Sequence, residues 1–202
     1  MKRGTLIVLS GSSGVGKSTI IDRVLEVRPD IYFSVSFTTR APREGEADGV
    51  DYHFVTRENF EERIARGEFL EYAEYAGNLY GTSMSVIREQ LDCGTDVLLD
   101  IEVQGAANVR EKMPEAVTLF VVPPSFAVLS ERLHKRGTDS EEKIQQRLAI
   151  ARKEAREIPD YHYVVVNDNL DRAVEETLSI LTAENCRTAR CTHIVEALLE
   201  GE

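Results

Sequence analysis

Four apolar runs punctuate the chain, each short and nearly unbroken: Thr5–Ser10, Val97–Ile101, Val117–Val122 and Tyr163–Asn167. Runs of this length, rich in Val, Ile and Leu and without polar alternation, predict strands buried on both faces. Between them lie stretches with helical patterning: Lys17–Leu25, Ser83–Leu91, Val103–Lys112, Ser125–Lys135 and a C-terminal stretch from Asp171. Strands alternating with helices imply a mostly parallel sheet covered on both faces, an α/β fold. There is no internal repeat or low-complexity tract.

Two polar segments break this rhythm. Residues 36–82 are rich in Arg, Glu, Gly and Tyr, with short strand-like pieces at Asp51–Val55 and Phe69–Glu74 and one helix, Glu58–Arg66, stopped by Gly67. Residues 134–157 begin where Gly137 ends a helix. A capping-box pattern, Thr138-Asp139-Ser140-Glu141-Glu142, then opens another helix, which Pro159 closes.

The first strand runs directly into candidate chemistry. Gly11, Gly16, Lys17 and Ser18 fit G-x-x-x-x-G-K-[ST], the phosphate-binding P-loop, in the strand–turn–helix setting that supports it. Glycines 11, 14 and 16 let the backbone turn and aim its N–H groups at one point, and the helix that follows adds its positive end. Gly11, Ser12, Ser13, Gly14, Val15, Gly16, Lys17, Ser18 and Thr19 are therefore the candidate loop for the triphosphate end of a nucleotide. Lys17 is expected to reach the β- and γ-phosphates, and the Ser18 hydroxyl to ligate Mg²⁺. Behind such a loop the two polar segments read as flaps over a substrate, because phosphoryl transfer needs water excluded.

Composition narrows the partners. The 202 residues suffice for one sizeable core, and a net charge of -11 argues against general affinity for nucleic acid or anionic membranes. The first apolar run is too short for a signal-peptide core, and nothing approaches a membrane span, so a cytoplasmic location is expected. Cys93, Cys186 and Cys191 are an odd set that suits a reducing compartment, and the spacing of Cys186, Cys191 and His193 matches no standard zinc pattern.

A second constellation spans Ser34 to Phe54. Arg40 and Arg43, with hydroxyls before them and Tyr52 after, suit a dianionic phosphate. Further on comes Glu71-Tyr72-Ala73-Glu74-Tyr75-Ala76-Gly77-Asn78-Leu79-Tyr80-Gly81-Thr82. Alone, either stretch reads as solvated surface; behind a P-loop, the pair reads as a second substrate site.

With these motifs in order, the chain resembles the guanylate kinases. The resemblance rests on the P-loop, Ser-Val-Ser-x-Thr-Thr-Arg-x-Pro-Arg-x-Gly-Glu, Gly-x-Asp-Tyr-x-Phe, Gly-Asn-x-Tyr-Gly, Asp-Ile-Glu-x-Gln-Gly and Tyr-x-Val-Val-Asn-Asp, and reaches to about Asp171. It implies one domain over 1–202: a P-loop kinase core (1–35, 83–133 and 158–202), an inserted GMP-binding subdomain (36–82) and a helical lid (134–157). It implies that Ser36, Arg40, Arg43, Tyr52 and Tyr80 hold the GMP phosphate, and that Glu71 and Thr82, helped by Ser36, read the guanine. Glu102 would sit near GMP or metal-bound water, with Asp100 beside it as a second candidate Mg²⁺ ligand. Arg136 and Arg147 would be lid arginines that act with Lys17 on the transferring phosphoryl group, and Asn167 would lie near the adenine of ATP. Ser12 stands where the family often has Pro, Thr82 where many members have Ser, and Glu102 where many have Asp. The tail from Asn185 carries none of these motifs.

The chemistry of guanine agrees with that reading. One carboxylate accepts from both N1–H and the N2 amino group, and a hydroxyl donates to O6. Adenine sets a lone pair against the carboxylate instead, and such a site rejects the wrong base by roughly 10⁴-fold or more. The expected reaction is ATP + GMP ⇌ ADP + GDP, with ATP and GMP as the partners, Mg²⁺ as the cofactor and the oligomeric state open. A kinase for another nucleoside monophosphate and a catalytically inactive binding module are the alternatives. The first would lack the Glu71–Thr82 pair and the second an intact P-loop. A GTPase would need a guanine-reading Asn-Lys-x-Asp stretch, and none is present.

Overall fold

The computed structural model describes residues 3–75, 77–135, 137 and 139–201, with only the backbone at Tyr75 and His193. Strand β1 (Leu6–Ser10) lies at the centre of a five-stranded, wholly parallel sheet. On one side are β7 (Val97–Asp100) and then β2 (Tyr32–Phe33); on the other are β8 (Val117–Val122) and then β9 (Tyr163–Val166). The chain thus leaves β1 in opposite directions to fill the two halves of the sheet. That makes its carboxyl end the switch point where α/β sheets open a crevice.

The uninterrupted apolar runs are explained by burial on both faces. In β1, Ile7 and Leu9 join a cluster with Leu98, Leu119, Val121 and Val165, and Leu6 and Val8 join another with Val97, Leu99 and Phe120. The first face is covered by α1 (Lys17–Val27), α5 (Phe126–Lys135), α6 (Glu141–Glu154) and α7 (Leu170–Asn185). The second is covered by α3 (Met84–Asp92) and α4 (Val103–Lys112).

Residues 36–82 form a second sheet of four strands, ordered β4 (His53–Phe54), β3 (Phe37–Thr38), β6 (Asn78–Ser83) and β5 (Phe69–Tyr75). Helix α2 (Arg57–Ala65), capped by the Thr56 hydroxyl and ended at Gly67 with φ +67°, lies in the same segment. Its Phe60 is fully buried and stacks on Phe69 at 4.4 Å, with Leu79 beside them. Burial of each such side chain contributes about 1.5–3 kcal/mol, so this small sheet has a core of its own.

Several expectations shift. The strand-like piece at Asp51–Val55 contracts to β4, and β2, β3 and β6 were not read from the pattern. Helix α6 is capped by Ser140, which accepts from the Lys143 N–H. It stops at Glu154, before Pro159, and Pro159 falls inside a 3₁₀ turn, Ala155–Asp160. Beyond α7 a further helix, α8 (Thr192–Glu200), follows. Among the described residues no helix is long and apolar enough to cross a membrane.

Candidate active site

The loop after β1 has the geometry its glycines demand. Gly14 and Gly16 adopt φ +89° and +95°, where a side chain is strained, and a Cβ at Gly11 would lie 2.4 Å from the Val121 carbonyl oxygen. Gly16 is the N-cap of α1 and no side chain caps it, so the first N–H groups of α1 face a cleft of ≈ 600 Å³ instead. Lys17 folds back over the loop, donating to the Gly11 carbonyl at 2.7 Å and lying 3.8 Å from Asp100 Oδ1. Ser12, Ser13, Gly14, Gly16, Lys17, Ser18 and Thr19 line the cleft; Gly11 and Val15 lie behind it.

Asp100 ends β7, and Glu102 is the N-cap residue of α4; both line the cleft floor. Desolvation raises both carboxyls above the usual range, and the Lys17 ammonium pulls each back.

Opposite the P-loop stands the small sheet. A register shift between Phe69 and Glu71 in β5 sets Glu71 directly across from Thr82 in β6. The Thr82 hydroxyl donates to Glu71 Oε1 at 2.7 Å, and both residues are buried, Glu71 at 4 % exposure and Thr82 at 0 %. Helix α4 comes so close that a Cβ on Gly105 would sit 2.5 Å from Glu71 Oε2. Burial pushes the Glu71 carboxyl up to about 7; the Thr82 hydroxyl and the Lys112 ammonium oppose that shift. Nearby, Arg40 forms a two-pronged pair with Glu46, at 2.9 and 2.8 Å, above the Tyr52 ring. Tyr52 and Tyr80 meet edge to face at 5.9 Å. Ser36, Arg40, Arg43, Tyr52, Glu71 and Tyr80 all line the cleft, whereas Thr82 stands behind Glu71.

The raised Glu71 carboxyl has a consequence for the ligand-free protein. With a folded value of about 7 against an ordinary value of 4.5, Glu71 favours the folded state below about pH 4.5, and that contribution is lost as pH rises towards 7. The loss is on the order of 3 kcal/mol by pH 8. Glu71→Gln, uncharged at every pH, is expected to melt higher than the parent at pH 8 and at nearly the same temperature at pH 5. A melting difference independent of pH would show that Glu71 is not desolvated.

From the third side comes α6. Arg147 pairs with Asp139 at 3.2 Å and donates to the Ser13 hydroxyl of the P-loop, so it touches the loop directly. Arg136 lies outside the described residues. The Asn167 side chain does not line the cleft; its Nδ2 donates to the Val15 carbonyl at 2.8 Å, bracing the loop from behind.

Comparison with known proteins follows this geometry closely. The family model described as "Guanylate kinase" matches residues 3–184. The chain belongs to the guanylate kinase family. It is 52% identical over 200 residues to a guanylate kinase of Thermus thermophilus, covering 99% of this chain and 90% of that one. It is 48% identical over 195 residues to one from Desulfitobacterium hafniense, covering 96% and 98%. A crystal structure of guanylate kinase from Anaplasma phagocytophilum superposes with a TM-score of 0.78 at 36% identity, covering 94% of this chain and 90% of that one. The α/β core with a parallel sheet flanked by helices is thus the guanylate kinase fold.

The guanylate kinase cleft also holds residues that were not singled out from the sequence. Arg132 of α5 lines it and donates to the carbonyls of Asn167 (2.8 Å) and Val15 (3.3 Å). Glu46 lines it beside Arg40. Lys112 does not line it, but ties α4 to β5 through the Leu70 carbonyl at 2.7 Å and favours the charged form of Glu71. Of these, only Glu46 lay inside a quoted motif.

Proposed function

We propose that this cleft transfers the γ-phosphoryl group of ATP to GMP, the P-loop side holding the donor and the small-sheet side the acceptor. Membership of the guanylate kinase family makes the chain an ATP:GMP phosphotransferase. The observation that carries the division of labour is the buried Glu71, fixed by the Thr82 hydroxyl, which lines the same cleft as the P-loop. A carboxylate fixed by a hydroxyl in a dry site matches the two adjacent donors of guanine, N1–H and N2. Arg40, Arg43, Tyr52, Tyr80 and Ser36, on the same side, would hold the monophosphate.

The acceptor is a phosphate oxygen, already ionised at neutral pH, so no general base is required. Three histidines have other partners: His53 stacks on Phe37, His134 contacts Ser130 and Glu141, and His162 contacts Thr118. Catalysis is then positioning and charge neutralisation by Lys17, the P-loop amides and the lid arginines Arg136 and Arg147. Ser18, Asp100 and Glu102 line the cleft together and offer only oxygen donors, the kind that suits Mg²⁺; Ser18 and Asp100 would hold the ion and Glu102 would contact it through water. Bound there with ATP, Mg²⁺ would neutralise charge on the phosphates. Residues 36–82 and 134–157 would close over the two nucleotides, in a cytoplasmic enzyme.

A coupled assay offering ATP with GMP, AMP, UMP and dTMP in turn tests the acceptor; turnover with AMP or a pyrimidine at the GMP rate would overturn it. Arg40→Ala is expected to raise the KM for GMP by about 10- to 100-fold, the loss of a charge-assisted hydrogen bond, and to leave the KM for ATP in place. A shift in the ATP KM instead would reverse the division of the cleft.

A further inference from the structure

Glu46 is an acidic residue in a pocket built for an anion, and the way it binds Arg40 says why. Its two oxygens take the Nη1 and Nη2 end of the guanidinium at 2.9 and 2.8 Å. The other hydrogen of Nη1 goes to the Ala41 carbonyl at 2.8 Å. A guanidinium has five N–H donors. The two left over, Nε–H and the outer Nη2–H, lie side by side on a single edge, a second two-pronged fork. The Tyr52 ring lies beneath the guanidinium, 5.3 Å from centroid to Cζ, and the Tyr80 hydroxyl hydrogen-bonds the guanidinium on this remaining edge, favouring its charged form. Arg40 and Glu46 are mostly buried, with side chains 13% and 18% exposed. Glu46 Oε2 also accepts from the Arg43 backbone N–H at 2.7 Å. The Glu46 N–H in turn donates to the Arg43 carbonyl at 3.1 Å, through a turn that Gly45 closes at φ +88°. One carboxylate thus locks the arginine at 40 to the turn that carries the arginine at 43.

We propose that Glu46 is a positioning residue of the acceptor phosphate site: it stays bound to Arg40 while GMP is held, fixing the guanidinium so that its Nε/Nη2 edge, beside Tyr80, meets the phosphate. The inference rests on the reading of Arg40 as a phosphate ligand and goes beyond it by giving that arginine its orienter. The opposite arrangement is a placeholder carboxylate that the phosphate must push off the arginine. The two differ in sign. Removing an orienter weakens GMP binding; removing a competitor tightens it.

The experiment measures the affinities of the full-length Glu46→Ala and Glu46→Gln proteins for GMP, for guanosine and for ATP by calorimetry. Weakening of GMP by about 10- to 100-fold is expected for Glu46→Ala, the worth of one well-aligned charged contact, with a smaller loss for Glu46→Gln, which keeps one acceptor. Guanosine, which has no phosphate, is expected to bind all three proteins alike, as is ATP. A variant that binds GMP as tightly as the parent, or more tightly, overturns the proposal. So does equal weakening of GMP and guanosine, since that marks loss of the loop's shape. Arg40→Ala in the same assay keeps the two readings apart. If it leaves GMP binding intact, the phosphate-site assignment itself fails; if it weakens GMP while Glu46→Ala does not, only the role of Glu46 fails. In the Arg40→Ala background, Glu46→Ala is expected to add less than it does alone, because only its hold on the Arg43 turn is left to lose.

Discussion

Lys17→Ala is expected to lower kcat by about 10²–10³, the usual cost of removing one preorganised charge from a developing transition state. The ligand-free structure shows why the loss should fall on turnover and not on folding. The Lys17 ammonium donates to a carbonyl of its own loop, at Gly11, and its second neighbour, Asp100, is 3.8 Å away. Neither contact is needed to shape the loop, which is set by Gly14 and Gly16 at positive φ and braced by Asn167 on the Val15 carbonyl. The ammonium lies over the loop at the cleft wall, where bound phosphates would come within its reach. Removing it leaves the desolvated Asp100 carboxyl without the charge that pulls it down, so that group should shift further up, a stability cost at neutral pH that shrinks towards about pH 4 and leaves the fold itself in place. Steady-state kinetics with a thermal melt check this. Near-normal turnover in a folded Lys17→Ala protein would remove the P-loop from the mechanism.

How far the sequence reveals this site depends on where each residue's partners lie. β1, β7 and β8 are legible because burial on both faces leaves runs dominated by Val, Ile, Leu and Phe, with no alternation of polar positions. The P-loop is legible because all its parts are consecutive. β2 and β3 are two residues long, below any period that a pattern could show, and β4, read as Asp51–Val55, keeps only His53–Phe54. β6 hides for a different reason. Its Asn-Leu-Tyr-Gly-Thr-Ser stretch reads as a turn, yet Thr82 is buried by the Glu71 carboxylate and Leu79 by the small core, so a polar strand is held by its neighbours. The Ser140 cap shows how a motif can be right in kind and displaced in place: an acceptor side chain starts α6, but at Ser140, with Lys143 three residues on.

Residues that act by holding other residues are the least visible. Arg132 meets the Val15 carbonyl across 117 positions, and Lys112 meets the Leu70 carbonyl across 42. Gly105 matters because α4 passes against Glu71, which no local spacing announces. Glu46 sits within a recognisable motif, but its work is geometric: which edge of Arg40 it occupies decides which edge is left.

Glu71→Gln is expected to reduce kcat/KM for GMP by roughly 10- to 100-fold and to narrow the gap between GMP and AMP, because a single carboxylate carries the discrimination. Buried at 4% exposure, Glu71 has one oxygen bonded to Thr82 and the other facing α4 at Gly105. Guanine would add its N1–H and N2 donors to this group. Inosine monophosphate keeps N1–H and O6 but lacks the amino group, so it should be a poorer acceptor by one charge-assisted hydrogen bond, about 1.5–3 kcal/mol. AMP should be poorer still, since it sets its N1 lone pair against the carboxylate. The expected order for the parent is therefore GMP, IMP, AMP. In Glu71→Gln the side-chain amide keeps the size but can accept at only one atom. Its NH₂ can donate to adenine N1, so GMP loses while AMP gains. The pH dependence carries a second signature. The Glu71 carboxyl lies at about 7 before ligand binds, so kcat/KM for GMP should fall as pH drops below 7, faster than the ionisation of GMP alone explains. In Glu71→Gln that extra fall should vanish. Competition of GMP with IMP and AMP, run on both proteins from pH 6 to pH 8, measures all of this. A mutant that separates GMP from AMP as well as the parent does would assign the guanine-reading role to some other residue.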